Sequence, residues 1–138
     1  MIVLDTNVLS ELMKISPSPR VLGWRKAHPA TEFFITTLTQ AEIYFGIELL
    51  PKGKRRSAVE EAAREIFQDD FDGRILPLDT EAAQEFARIA AARRKLGRPI
   101  SQTDAQIAAI ASSRGAAVAT RNAGDFEHCG ISVLNPWA

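Results

Sequence analysis

The chain has 138 residues, with 17 basic and 17 acidic side chains that cancel to zero net charge, and it is 46% hydrophobic and 25% charged. These figures suit an ordinary soluble globular protein of about one domain, residues 1–138, and exclude a membrane protein, since no apolar run approaches the ~18–20 residues that span a bilayer. Zero net charge also removes any global attraction to nucleic acid, which then has to rest on two local clusters, "KGKRR" at 52–56 and "RRKLGR" at 93–98.

The predicted elements run as follows. "IVLD" at 2–5 is a short β-branched apolar strand, and "TNVLSELMK" continues as a helix with Val8, Leu9 and Leu12 at helical spacing until Pro17 and Pro19 interrupt it. "PRVLGWRKA" at 19–27 is a second helix and "FFITT" at 33–37 the next strand. The helix over 39–50 carries Gly46 at mid-length, which costs roughly 1 kcal/mol against Ala and so suggests close packing there. It is joined to its successor by a hairpin about Pro51, Lys52 and Gly53. Residues 54–68 set Ala58, Val59, Ala62, Ala63, Ile66 and Phe67 on one stripe, the clearest amphipathic helix in the chain. "RILPL" at 74–78 is a third strand, 80–97 a long helix ending at Gly97, and 103–115 another ending at Gly115. "AAVAT" at 116–120 and "ISVLNPW" at 131–137 are the fourth and fifth strands.

Apolar, non-alternating strands separated by helices require a parallel sheet covered on both faces, so the class is α/β with three layers. Right-handed crossovers bring the carboxyl ends of such strands to one edge, where ligands bind. Acids recur there: Asp5 ends the first strand, Glu42 opens the helix after the second, Asp79 ends the third, Asp104 opens the helix before the fourth, and Asn122 and Asp125 follow the fourth. Each acid alone reads as a helix cap, and "TQAE" at 39–42 and "SQTD" at 101–104 have the form of capping boxes. Together, three or four carboxylates at one edge repel each other and raise their own pKa values, and a hard divalent cation relieves that. The constellation suits Mg²⁺ or Mn²⁺. A structural thiolate zinc site is set aside, because Cys129 is the only cysteine and only two histidines are present.

"IVLDTNVLSELMK", "TTLTQAEIYFGI", "ISQTDAQIAAIA" and "VATRNAGDF", in this order, resemble the PIN-domain ribonucleases, especially the toxins of VapBC-type toxin–antitoxin pairs and the similar FitB. The resemblance runs from Met1 to the closing "NPW". It implies a PIN-like sheet in the order 3-2-1-4-5 and makes Asp5, Glu42 and Asp104 the metal-binding, catalytic acids. In that order the third strand is an edge, so Asp79 is left as a cap only. Many relatives carry an acid directly after the "TR" of the fourth motif, where this chain has Asn122; Asp125, three residues on, either supplies the fourth carboxylate or caps the turn. Thr6, Asn7, Thr120 and Asn122 flank the site as groups that orient ligands or water, although Thr6 also reads as a capping residue.

The implied activity is Mg²⁺- or Mn²⁺-dependent hydrolysis of RNA by the toxin of a type II toxin–antitoxin system, with a VapB-type antitoxin as partner, a homodimeric assembly and a cytoplasmic location. The N-terminus, with Asp5 four residues after Met1, lacks the pattern of a secretory signal. Lys52, Lys54, Arg55, Arg56, Arg93, Arg94 and Arg98 either contact the phosphate backbone or form solvated helix ends. The stripe at 54–68 either meets a partner or serves the protein's own core. His128 and Cys129 are sequence neighbours and are not expected to pair for catalysis. A nucleotide-binding Rossmann protein is disfavoured because neither G-x-G-x-x-G nor a P-loop is present, and an Asp-nucleophile phosphatase because Asn7 stands where a second acid is wanted. A catalytically inactive PIN-like regulatory module is the alternative, with Asn122 as its mark.

Overall fold

In the computed structural model, which describes all 138 residues, five parallel strands form one sheet in the order β3-β2-β1-β4-β5. They are β1 (Ile2–Leu4), β2 (Phe33–Thr36), β3 (Ile75–Leu76), β4 (Ala117–Ala119) and β5 (Val133–Leu134). The helices are α1 (Thr6–Leu12), α2 (Pro19–Lys26), α3 (Thr37–Glu48), α4 (Lys54–Glu65), α5 (Thr80–Lys95) and α6 (Gln102–Ser113). Central β1 pairs with β2 through Val3 and Phe34 and with β4 through Val3 and Val118.

The unbroken apolar character of the strands follows from burial on both faces. Val3 and Val118 point into a cluster with Ile89 of α5 and Ile107 and Ile110 of α6. Ile2, Leu4, Phe33 and Ile35 point the other way, against Val8 and Leu9 of α1, Ile47 of α3 and Ala63 of α4. Every residue of α6 from Ile107 to Ala111 is buried, as expected of a helix that is apolar nearly all round. Gly97 and Gly115, at φ 73° and 64°, take the left-handed conformation that ends α5 and α6, as the sequence predicts.

Four local expectations need correction. α3 begins at Thr37, because the Thr36 hydroxyl accepts from the Thr39 amide (3.2 Å) and caps the helix three residues early. The capping box at 39–42 therefore does not form, and Glu42 sits beyond the first turn with no capping duty. Gly46 is exposed, and a Cβ there meets nothing within 4 Å, so it does not mark close packing. α4 ends at Glu65 and gives way to a wider turn, Ile66–Asp70, closed by the Phe71 amide on the Ile66 carbonyl (2.9 Å). β3 and β5 are two residues each, shorter than predicted: both are edge strands, and Pro77 and Pro136 beyond them have no N–H to extend a ladder.

The stripe on residues 54–68 divides. Ala63 and Phe67 are buried in the core with Val59 and Ile66 against them, whereas Ala58 is exposed. Asp79 caps α5 by accepting from the Ala82 amide (2.9 Å) and faces Arg114 at 3.6 Å, at the edge strand and away from β1 and β4. Since the space beside Gly46 is open and its helix otherwise regular, Gly46→Ala is expected to raise stability by about 0.5–1 kcal/mol, read as a higher thermal midpoint; a loss would mean that the glycine is needed for its conformation after all.

Candidate active site

The carboxyl ends of β1, β2 and β4 open on a cavity of about 510 Å³ lined by Asp5, Thr6, Asn7, Ser10, Glu11, Lys14, Glu42, Asp104, Arg121, Asn122 and Trp137. Only Trp137 among these is hydrophobic. Three of the four acids singled out from the sequence, from three different elements, thus meet at one opening.

Asp5 is the best fixed. Its amide continues the sheet by donating to the Ala119 carbonyl (2.9 Å), and its side chain is only 7% exposed. Oδ1 accepts from the Thr6 amide (2.8 Å), so Asp5 also caps α1. Oδ2 accepts from the Thr120 hydroxyl (2.8 Å) and from Asn7 Nδ2 (3.3 Å). Burial nevertheless holds its carboxyl above the usual range, with Asp125 adding to the rise and the Thr120 and Thr6 bonds opposing it. Glu42 is raised by partial desolvation and by the charges of Asp5 and Asp104, against the Thr6 hydroxyl. Asp104, the third residue of α6, has its amide bound to the capping Ser101 hydroxyl (3.2 Å); partial burial, Asp5 and Asp125 raise its carboxyl, while Ser101 and Arg93 oppose.

Thr6, Asn7, Thr120 and Asn122 form the scaffold of this centre in different ways. Thr6 Oγ1 meets Thr39 Oγ1 at 2.9 Å, tying α1 to α3. Asn7 bridges, donating to Asp5 and to Thr120 Oγ1 (3.4 Å) and accepting the Arg121 amide on Oδ1 (3.2 Å). Asn122 joins through its backbone, its amide donating to Thr120 Oγ1 (3.1 Å). Asp125 lies in the turn Ala123–Phe126, exposed, outside the cavity lining and with no protein partner for its carboxylate, yet close enough to be felt by Asp5 and Asp104.

The donor set is all oxygen, which fits a hard divalent cation and not zinc. The carboxylates share one opening without converging on a point: no three His, Cys, Asp or Glu side chains stand close enough together to enclose an ion. Neither histidine takes part. His28 Nδ1 is bound to the Trp24 carbonyl (3.0 Å), and the His128 ring lies beside Arg98 (3.3 Å) while Cys129 is buried.

The basic residues separate clearly. Arg93 leaves the set of phosphate contacts: it is 7% exposed, and its guanidinium donates to the carbonyls of Arg98 (2.7 Å), Asp125 (2.9 Å) and Glu127 (2.9 Å). Long-range order is invisible in a sequence run of arginines. Arg56 is engaged by Glu60 (2.8 Å) and Glu48 (3.4 Å), and Arg98 by Glu127 (3.4 Å). Lys52, Lys54, Arg55 and Arg94 are exposed and make no ion pair. Sequence reasoning missed Ser10, Glu11, Lys14, Arg121 and Trp137 in the cavity, although all five lie inside segments that carry the resemblance; Arg121, within "TR", had the plainest signal.

A parallel sheet in the order 3-2-1-4-5 with an acidic opening across its carboxyl edge defines the PIN-like class of α/β proteins. The chain belongs to the PIN domain family, which it matches over residues 2–130. It is 39% identical to the VapC ribonuclease Y4jK of Sinorhizobium fredii, over 99% of this chain and 98% of that one. It is 36% identical to the toxin FitB of Neisseria gonorrhoeae, over 99% of both chains. Among solved structures it is similar to FitAB bound to an IR36 DNA fragment, with a TM-score of 0.94, 36% identity and coverage of 100% of this chain and 96% of that one.

The raised carboxyls set a direction for pH. A carboxyl that binds its proton more tightly when folded contributes most below its unfolded pKa of about 4, and that contribution is lost as pH rises through the folded value. Glu42→Gln is therefore expected to stabilise the metal-free protein at pH 7 by under about 1 kcal/mol after solvent screening, with the gain vanishing near pH 4. A destabilising Glu42→Gln at pH 7 would contradict the mutual repulsion of these groups.

Proposed function

We propose that this chain is a Mg²⁺- or Mn²⁺-dependent endoribonuclease, the toxin of a type II toxin–antitoxin pair, made of one PIN domain and working in the cytoplasm. The observation that carries the reading is the meeting of Asp5, Glu42 and Asp104 in one cavity, each held above the ordinary carboxylate range by burial and by its acidic neighbours. The VapC ribonuclease and FitB relatives support it.

Asp5, Glu42 and Asp104 would share the ion, one or two of them directly and the rest through its waters, with Asp125 as a further acid. When bound, such an ion acidifies water and neutralises charge that builds on phosphate oxygens. The chain's own groups do the positioning. Thr120, Asn7 and the Thr6 amide lock Asp5 in one orientation. Asn122 and Arg121 are drawn to the same network through their amides, which brings the segment after β4 to the cavity rim. Lys52, Lys54, Arg55 and Arg94, exposed cations of the two basic clusters that make no ion pair, would meet the RNA backbone without reading its sequence.

A protein partner is supported by exposed apolar side chains on and just after α3, namely Tyr44, Phe45 and Leu49, and by a groove lined by Glu42, Ile43, Gly46, Leu50 and Val59. A VapB-type antitoxin and a second copy of this chain are the partners proposed for these surfaces, in keeping with the FitAB assembly. No helix is long and apolar enough to cross a membrane.

One observation favours a second reading. Asn122 lines the cavity and Asp125 does not reach the lining, so the fourth carboxylate that the family resemblance implies is missing from it, as expected of a binding module that has lost its activity. Incubation of end-labelled RNAs with Mg²⁺ or Mn²⁺ separates the two. The nuclease reading expects metal-dependent cleavage that Asp5→Asn or Asp104→Asn each lowers by more than about 100-fold, the loss of several kcal/mol of transition-state stabilisation, with far-UV circular dichroism unchanged. Asp79→Asn should keep activity within about twofold. Intact RNA with the wild-type protein would leave the regulatory module in its place, and equal loss in all three variants would contradict the separation of Asp5 from Asp79 by strand order.

A further inference from the structure

Few cations border the acidic cavity, and all but one are committed. Lys14 is bound to Glu11 (2.9 Å), and the nearby Arg93 is buried among carbonyl groups. Arg121 lines the cavity, is exposed, and makes no salt bridge. Its guanidinium carbon instead lies 5.0 Å from the centre of the Trp137 ring, and Trp137 packs against the core cluster beneath β1 and β2.

The backbone around this pair is held with equal care. The Arg121 carbonyl accepts from Asn135 Nδ2 (3.5 Å), and Asn135 Oδ1 accepts the Trp137 amide (2.9 Å), so Arg121 and its stacking partner are tied through one side chain. The Arg121 amide donates to Asn7, and Asn7 donates to Asp5. A planar cation is thereby placed in fixed relation to the most buried acid of the centre.

The geometry points to Arg121, presented on Trp137, as the residue that receives a phosphate of the RNA backbone beside the acidic centre. The inference rests on the ribonuclease reading for its choice of ligand. A cavity lined by four carboxylates against two cations repels a polyanion, and the guanidinium at its rim that makes no salt bridge supplies the compensating attraction. Its fork of donors matches two phosphate oxygens, which an ammonium does not. Stacking on an aromatic face restricts the side chain to the presented conformation and so reduces the entropy lost on contact. Arg121 is a binding residue in this account, and Trp137 a positioning residue that acts through it.

The test uses the full chain and a fluorescein-labelled, mixed-sequence, single-stranded RNA oligonucleotide in EDTA, followed by anisotropy over a range of salt, so that cleavage plays no part. Arg121→Gln is expected to weaken binding about tenfold and to lower the slope of log affinity against log salt by about one, with an unchanged thermal midpoint. Trp137→Leu is expected to weaken it about threefold, Trp137→Phe to restore it, and the double variant to bind no worse than Arg121→Gln alone, because both changes remove one contact. Should Trp137→Leu fail to fold, the exposed Arg121 decides the matter by itself. Wild-type affinity and salt slope in Arg121→Gln would overturn the inference, as would a wild-type chain that does not bind the oligonucleotide. Binding that depends on Arg121 without any cleavage in Mn²⁺ would uphold it while removing the nuclease reading, and cleavage unaffected by Arg121→Gln would do the reverse.

Discussion

The Asp5 carboxylate is an anion taken out of water at the end of the central strand, held by the Thr120 hydroxyl, the Thr6 amide and Asn7, and given no cation of its own. The Thr120 hydroxyl and the Thr6 amide lower its pKa, but burial outweighs them. Much of the site follows from that imbalance. The donors come from α1 and from the residue after β4, so the same bonds that stabilise the carboxylate also clamp the two neighbouring strand ends on which the cavity is built.

A parallel sheet delivers all its strand exits to one edge, and Glu42 and Asp104 arrive there from α3 and α6. Asp5 and Asp104 raise Glu42, Asp5 and Asp125 raise Asp104, and nearby cations are spent elsewhere or stand at the rim. Arg93 shows how a cation can serve such a centre without entering it. By donating to the carbonyls of Arg98, Asp125 and Glu127 it joins the end of α5 to the segment after β4, and its charge eases the ionisation of Asp104. Two acidic residues that look alike in sequence, each before a Thr and a helix, are thus separated by topology: Asp79 caps its helix at an edge strand beside Arg114, and Asp5 caps its own while facing the cavity.

The fold was legible because its signals are local and redundant. Continuous apolar strands, helices closed by Gly97 and Gly115, and prolines at the right places leave little freedom of class, and the strand order came from the resemblance carried by four ordered motifs. What was misread depends on competition between neighbours. Four threonines at Thr31, Thr36, Thr37 and Thr39 surround the start of α3, and only packing decides that Thr36 caps it, which frees Glu42. Of the site, the acids at strand exits could be seen; the destinations of long side chains could not. Arg93 and Arg94 are adjacent in a basic run, yet one is buried and the other exposed, and Glu11 and Trp137 enter the cavity from a helix face and a chain end where the local sequence does not mark their destination.

The central claim is that burial and mutual repulsion poise these carboxyls for a divalent cation. Calorimetric titration of the protein with Mn²⁺ at pH 5 and pH 7, in buffers of different ionisation heat, tests it most directly. Binding should tighten markedly from pH 5 to pH 7 and release protons, because the ion displaces them from groups that hold them above the ordinary carboxylate range. No binding heat at either pH, or an affinity independent of pH with no proton release, would contradict the account.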